Sequence, residues 1–313
     1  MPERRWPVAG RGFELHGHRG ARALRPENTL AAFAHAIDIG VTAVELDCCV
    51  SRDGVVIVTH DPELNPDLTR DATDRYLEGT GPAVISLDLA TLRSYDVGRM
   101  RPGCAYGKPF PDQVPVDGER LPTLIEVLEL ARDRGGESAW VNIEAKLDPT
   151  RPELTPPPER FAQHLLADLD ATGMRGRVIV QCFDWRVVAA MLAIAPDVVT
   201  AALTTQQGTD DTVWVGRGAL SPWLAGMDPA DHGNSVPRMV AALGASLWAP
   251  DYLDLDATRV AEAHAHGLGV LPWTANDPAA MGALIDMGVD GIITDHPDRL
   301  RGVLASRGMP LPP

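Results

Sequence analysis

WVNIEA at Trp140–Ala145, VIVQC at Val178–Cys182 and VVTAAL at Val198–Leu203 are three short apolar runs that read as strands. The stretches between them, Phe161–Thr172 and Trp185–Ile194, carry helical periodicity. Strand, helix, strand, helix, strand at this spacing is the signature of a parallel sheet with helical crossovers. Outward from this block the pattern continues. Phe13–His18 alternates and ends in a glycine-bearing turn, and Val41–Val50 is a second strand. Ser246–Ala249, Gly269–Trp273 and Gly291–Thr294 follow downstream, with helices expected at Thr29–Ile39, Leu124–Arg132, Thr258–His266 and Pro278–Met287. Asn28 or Thr29 supplies a cap and Gly40 a stop for the first of these helices.

The count is eight strands, near 13–18, 42–47, 140–145, 178–182, 198–203, 246–249, 269–273 and 291–294. Eight strands alternating with helices predict an α/β fold, a (β/α)8 TIM barrel, with 1–313 as a single domain. A doubly wound open sheet is the competing arrangement. The absence of a glycine-rich dinucleotide fingerprint after the first strand speaks against it. Arg52-Asp53-Gly54 is a tight-turn signal, so Glu45–His60 reads as a hairpin. Segment 61–120 is rich in Pro, Gly and Asp, with a short helix over Leu87–Tyr95, and reads as an insertion or lid. Segment 204–235 is a second irregular stretch.

A net charge of −15 excludes duplex nucleic acid and anionic membrane surfaces as principal partners, because both attract a basic face. A small anionic substrate remains compatible, since local cations outweigh a distant field. No apolar run approaches the roughly 18 residues of a membrane span, so no stable membrane insertion is expected. Cys48, Cys49, Cys104 and Cys182 lack metal-site spacing and read as free thiols in a reducing compartment. Met1–Gly12 has no hydrophobic stretch after Arg4 and Arg5, so it is not a signal peptide. The expected location is cytoplasmic, or periplasmic or secreted if a leader has been removed. Oligomeric state is not legible.

Polar residues gather where the strands end. His18 and Arg19 end the first, Glu45 and Asp47 the second, and Glu144 and Lys146 the third; Gln181, Trp273 and Asp295 fall at later ends. In such barrels this is the active-site face. Residues two apart on a strand share a side, so the pairs Glu45/Asp47 and Glu144/Lys146 each face one way. Burying three carboxylates costs several kcal/mol unless cations compensate. Two arrangements satisfy that need: a hard divalent cation, or a buried salt-bridge network with Arg19 and Lys146. Two histidines, His18 and His60, can form an acid/base pair, and an arginine suits a phosphate. The set points to metal-assisted cleavage of a phosphodiester. His16 lies deeper on the same strand face and reads as a satisfied core residue, while His35, His164, His232, His264 and His266 read as surface or helix positions.

These residues lie in nine segments whose order is similar to that of the glycerophosphodiester phosphodiesterases, in the phospholipase-C-like barrel group. The segments are Gly17–Ala21, Pro26–Thr29, Glu45–Asp47, Asp53-Gly54, His60-Asp61, Asn142–Lys146, Gln181–Asp184, Trp273–Asn276 and Gly288–Asp295. The resemblance implies that Glu45, Asp47 and Glu144 are divalent-metal ligands, for Ca2+ or Mg2+. It implies that His18 and His60 are the acid/base pair, that Arg19 and Lys146 bind phosphate, and that Trp273 is an aromatic wall. The reaction it implies is metal-dependent hydrolysis of a small-molecule glycerophosphodiester to sn-glycerol 3-phosphate and an alcohol, through a cyclic phosphate made by the substrate's own hydroxyl. His60 is taken as first base and His18 as first acid. Cys182 stands where the family more often has serine, with little effect expected. Trp214, Trp223 and Trp248 either pack or line a wall for a cationic head group. The alternatives are a phospholipase D-like or lyase activity on lysophospholipids, and a non-catalytic binding protein.

Overall fold

The first βα loop, between Gly17 and Leu30, sets the geometry of the whole mouth, and glycine makes it possible. A Cβ on Gly17 would lie 2.1 Å from the Gly20 carbonyl oxygen, and Gly20 itself has φ +87° with its α-carbon against Ala32. No larger residue fits either place. The structure, a computed structural model, describes residues 12–312. The expectation for the N-terminal leader therefore lies, over residues 1–11, outside the described residues.

Strands and helices alternate: β1 (Glu14–Gly17), α1 (Leu30–Ile39), β2 (Ala43–Val50), β3 (Val56–Val58), α2 (Leu89–Leu92), α3 (Leu124–Gly135), β4 (Trp140–Ala145), α4 (Pro158–Thr172), β5 (Val178–Cys182), α5 (Trp185–Ile194) and β6 (Val199–Thr204). Then come α6 (Val236–Leu243), β7 (Leu247–Pro250), α7 (Ala257–Ala265), β8 (Gly269–Val270), α8 (Pro278–Met287), β9 (Gly291–Thr294) and α9 (Pro297–Ser306). The parallel strands run in the order β8-β7-β6-β5-β4-β2-β1-β9, and β3 folds back antiparallel on β2. Eight parallel strands thus form a nearly closed (β/α)8 barrel. At the seam, Asp290 N donates to Val270 O (3.0 Å) and Ile293 N to Pro272 O (2.9 Å). Pro272 has no N–H to return, so the ladder is interrupted there and resumes only where Ala275 N donates to Ile293 O (3.2 Å).

That proline corrects one boundary. The expected strand Gly269–Trp273 is regular only over Gly269–Val270, although Trp273 N still reaches Pro250 O (3.0 Å). Helices α6 and α9 are additions to the expected set. Thr29 is the cap of α1, accepting from Ala32 N, and Gly40 ends the helix in the left-handed conformation. The hairpin is present, with Cys48 opposite Val58. Adjacent Cys48 and Cys49 face different apolar clusters, and all four cysteines are free. No described helix is long and apolar enough to cross a membrane.

Alternation across the strands produces two cores. Outward side chains such as Val44, Leu46, Ile143 and Val180 pack against the helices with Phe33, Phe161 and Trp185. Inward ones, including Ala43, Trp140, Ile179, Ala201 and Leu247, fill the barrel. Cutting a buried ring such as Phe33 to alanine would cost about 3–5 kcal/mol. Segment 61–120 has its own small cluster, with Leu64, Val84 and Leu92 packed on Cys49, Ile57 and the following Leu121. It leaves the barrel between β3 and α3 and is anchored at its root.

Candidate active site

Register brings the acidic residues together. Glu45 pairs with Asn142, Asp47 with Glu144, and Glu144 with Gln181, all pointing inward at the carboxyl ends of β2, β4 and β5. Ligand oxygens of Glu45, Asp47 and Glu144 lie within 4.8 Å of one another, and all three residues are buried. Each is oriented by neighbours. Glu45 Oε1 accepts from Gln181 Nε2 (3.1 Å) and Oε2 from the Arg19 backbone N–H (2.9 Å). Asp47 Oδ2 accepts from Asn28 Nδ2 (2.9 Å). Glu144 Oε1 accepts from Lys146 Nζ (2.7 Å). Arg19 and Asn28 hold these positions from left-handed backbone, at φ +51° and +55°.

The salt-bridge network considered above is real but incomplete. Arg19 Nε lies 3.3 Å from Asp47 and Lys146 Nζ 3.7 Å from it. Arg19 also serves Glu27, at 2.7 Å. Asp47 Oδ1 is buried with no hydrogen-bond partner. Burial, then the charges of Asp47 and Glu144, push the Glu45 carboxyl well above its ordinary pKa; burial also raises Glu144. Burial works against ionised Asp47 as well, but Arg19, His60 and Lys146 outweigh it and hold that carboxyl low. An orphaned buried oxygen and two carboxyls short of positive charge fit an all-oxygen site for a hard divalent cation.

Two histidines face the same cleft, each held by a carboxylate. His18 Nδ1 donates to Asp295 Oδ1 (2.6 Å), which leaves Nε2 as the bare nitrogen, 3.9 Å from Glu45 Oε2. Asp295 is itself locked by Arg22 through two bonds (2.8 and 2.9 Å) and by Asn276 (2.7 Å). Burial lowers the His18 pKa to about 4, against the raising influence of Asp295. His60 Nδ1 donates to Asp61 Oδ1 (2.6 Å), while Lys146 Nζ donates to its Nε2 (3.1 Å). Burial acts against the Lys146 ammonium, but Glu144 and Asp47 raise its pKa and keep it charged.

The cleft has a volume of about 220 Å³ and is lined on one side by His18, Arg19, Arg22, His60, Glu144 and Lys146. Phe183, Leu203, Trp273 and Ile293 form the other side. The Trp273 indole is pinned by Nε1 to Ala249 O (2.9 Å) and meets Phe183 edge-on at 5.3 Å. All eight residues expected at the site are therefore in one place. His16 is buried as expected but satisfied only in part: Nδ1 meets Asn142 Nδ2 at 3.3 Å, whereas Nε2 has no hydrogen-bond partner. Trp248 is packed outside the cleft and donates to Thr204 Oγ1 (2.9 Å), and Trp223 sits behind Phe183. The sequence gives no site role to Arg22, Glu27 or Tyr106, and marks Asn28 only as a candidate helix cap. Glu27 and Asn28 were visible in the Pro26–Thr29 segment; nothing in the irregular stretch around Tyr106 marked it.

Residues 18–299 match the model of the Glycerophosphoryl diester phosphodiesterase family. A glycerophosphodiester phosphodiesterase of Caldanaerobacter subterraneus subsp. tengcongensis is 28% identical over 291 residues, covering 93% of this chain and 97% of the relative. A crystal structure from Silicibacter pomeroyi, assigned by name to the glycerophosphoryl diester phosphodiesterases, is 34% identical with a TM-score of 0.85, covering 96% of this chain and 95% of the other. An Oleispira antarctica phosphodiesterase, solved with its product sn-glycerol-3-phosphate, has the same fold at 21% identity and a TM-score of 0.68, covering 94% and 97%.

Proposed function

Because the chain belongs to the glycerophosphoryl diester phosphodiesterase family and is an enzyme of that class, we propose that it hydrolyses small glycerophosphodiesters to sn-glycerol 3-phosphate and an alcohol by metal-assisted acid/base catalysis. One observation carries this reading. A buried acidic trio, with an orphaned oxygen on Asp47, meets through Glu45 and Glu144 the same cleft that two carboxylate-held histidines line. In the proposed site Glu45, Asp47 and Glu144 would hold Ca2+ or Mg2+, and the cation would supply charge neutralisation at the phosphoryl oxygens.

The chain's own groups have the following roles. Arg19 and Lys146 bind the phosphate as fixed cations, worth most where water is excluded. Trp273 and Phe183 wall the glycerol or alcohol. His18 and His60 move the protons. We propose the order opposite to the expectation above: burial keeps His18 unprotonated, so its bare Nε2 accepts the proton of the attacking glycerol hydroxyl. His60 is the acid: it takes up a proton on Nε2, the atom that accepts from Lys146 in the resting site, and hands it to the departing alcohol while Asp61 steadies the imidazolium. The bonds made and broken are the glycerol O–P bond of a cyclic phosphate and the P–O bond to the alcohol; water then opens the ring with the histidines in exchanged roles. Segment 61–120 is proposed as an insertion within one domain spanning the chain.

Hydrolysis of a panel of glycerophosphodiesters, followed by coupled detection of glycerol 3-phosphate with and without chelator, tests the reading. Turnover that persists after chelation removes the metal from it. Trapping of a cyclic glycerol phosphate supports the internal nucleophile, whereas direct entry of labelled water oxygen in one step opposes it. A lysophospholipid in the same panel tests whether the apolar side of the cleft also accepts an acyl-bearing substrate.

A further inference from the structure

Residues 106–114 reach back from the long excursion after β3 onto the first βα loop. Val114 N donates to Leu24 O (3.0 Å), and Gln113 Nε2 donates to Arg22 O (2.6 Å). The Arg22 guanidinium lies 4.7 Å over the Phe110 ring. At the centre is the Tyr106 hydroxyl. It donates to Glu27 Oε2 (2.6 Å) and accepts from Arg19 Nη1 (3.1 Å) and Arg22 Nη1 (3.4 Å). A phenol offers one proton and two acceptor sites, and all three are engaged. Burial raises the Tyr106 pKa and keeps that proton in place for Glu27.

The consequence falls on Arg19. Its side-chain hydrogen bonds are both on Nη1, to Glu27 (2.7 Å) and to Tyr106. Nε is buried without a hydrogen-bond partner. A guanidinium is a rigid plane, so fixing one amino nitrogen from two directions fixes the plane. The other amino group is then left for an anion in the cleft that Arg19 lines. Without the hydroxyl, Glu27 would be the one hydrogen-bond partner left on Nη1, with only the Asp47 charge 3.3 Å from Nε beside it, and two like charges, Arg19 and Arg22, would lose the oxygen that bridges them.

We infer that Tyr106 is a positioning residue of the phosphate site: its hydroxyl, together with Glu27, sets the guanidinium of Arg19 for the phosphodiester anion, so the excursion takes part in substrate binding. This rests on the reading of Arg19 as a phosphate ligand. Tyr106→Phe keeps the ring and its packing on Phe110 (6.4 Å between centroids) and removes only the hydroxyl. The expected result is a KM for the glycerophosphodiester raised about tenfold with kcat held within about twofold, and a calorimetric Kd for inorganic phosphate weakened by a similar factor. In an Arg19→Lys background the second change adds nothing further, because the tyrosine acts through the arginine. Lys108→Ala, exposed on the same segment, leaves every constant unchanged.

Unchanged KM and phosphate Kd in Tyr106→Phe overturn the inference. So does a fully additive loss in the double variant, or a fall in kcat and Tm together with KM intact. A wild type that binds phosphate but turns over no glycerophosphodiester overturns the functional reading beneath it, while the phosphate isotherms still decide the role of Tyr106.

Discussion

Acidification tests the environment assigned to His18. In the unfolded chain this imidazole has an ordinary pKa of 6.5; in the fold, burial lowers it to about 4. Between these values the unfolded chain binds the proton and the native protein does not, so falling pH favours unfolding. The stability contributed by neutral His18 is complete above about pH 6.5 and is lost as pH falls through about 4. The full gap corresponds to about 3 kcal/mol, of which about 2 kcal/mol is lost between roughly pH 7.5 and pH 5. The side chain is only 11% exposed, so solvent screening removes little of this. The perturbation is His18→Gln, which cannot titrate. Differential scanning calorimetry in chelator follows both proteins across that range. For a chain of this length about 2 kcal/mol is a Tm change of roughly 3 °C. The wild type should lose that much more than the variant on acidification. Parallel Tm curves, differing by less than about 1 °C in slope across the range, would refute the reasoning, since they would mean that His18 is protonated equally in both states.

Three other outcomes are expected. Asp295→Asn offers an amide where His18 Nδ1 now meets a carboxylate at 2.6 Å; the wrong tautomer is then stabilised, and steady-state kinetics should show kcat/KM reduced by about 10³-fold or more. Glu45→Gln relieves repulsion within the acidic trio, so in chelator its Tm should equal or exceed that of the wild type, while the Tm rise on adding Ca2+ or Mg2+ should vanish. Gly20→Ala places a Cβ 2.8 Å from Ala32 at φ +87°; urea unfolding should show a loss of about 2 kcal/mol or more.

Much of this was legible because barrel strands write their burial into the sequence. Val44 and Leu46 face the helices while Glu45 and Asp47 face inward, and that alternation is enough to set the acidic pair on one face of its strand. The hairpin was legible from Arg52-Asp53-Gly54, and the first helix from Thr29 and Gly40. Where one residue overrode the pattern, the reading slipped. Pro272 interrupts a ladder that apolar content alone would continue, and Val236–Leu243, with Pro237 at its start, follows a long irregular stretch that hides a short helix. Partnerships were less legible still. Arg22 looks like any charged residue on a loop, and only the fold shows it gripping Asp295, 273 positions away. Tyr106 meets Arg19 across 87 positions from a stretch without periodicity. Such contacts are set by where a loop returns, which local propensity does not encode.

The bond between His18 and Asp295 spans 277 positions and joins the first strand to the last. A ribosome therefore exposes nearly every reactive group well before the residue that aligns the imidazole has been synthesised. A nascent chain carries the acidic trio and the arginines but not the carboxylate that orients His18, and β1 lacks one of its two neighbours until β9 arrives. Onset of turnover during translation or refolding should thus coincide with ring closure, which makes catalysis itself a clock for the final docking event.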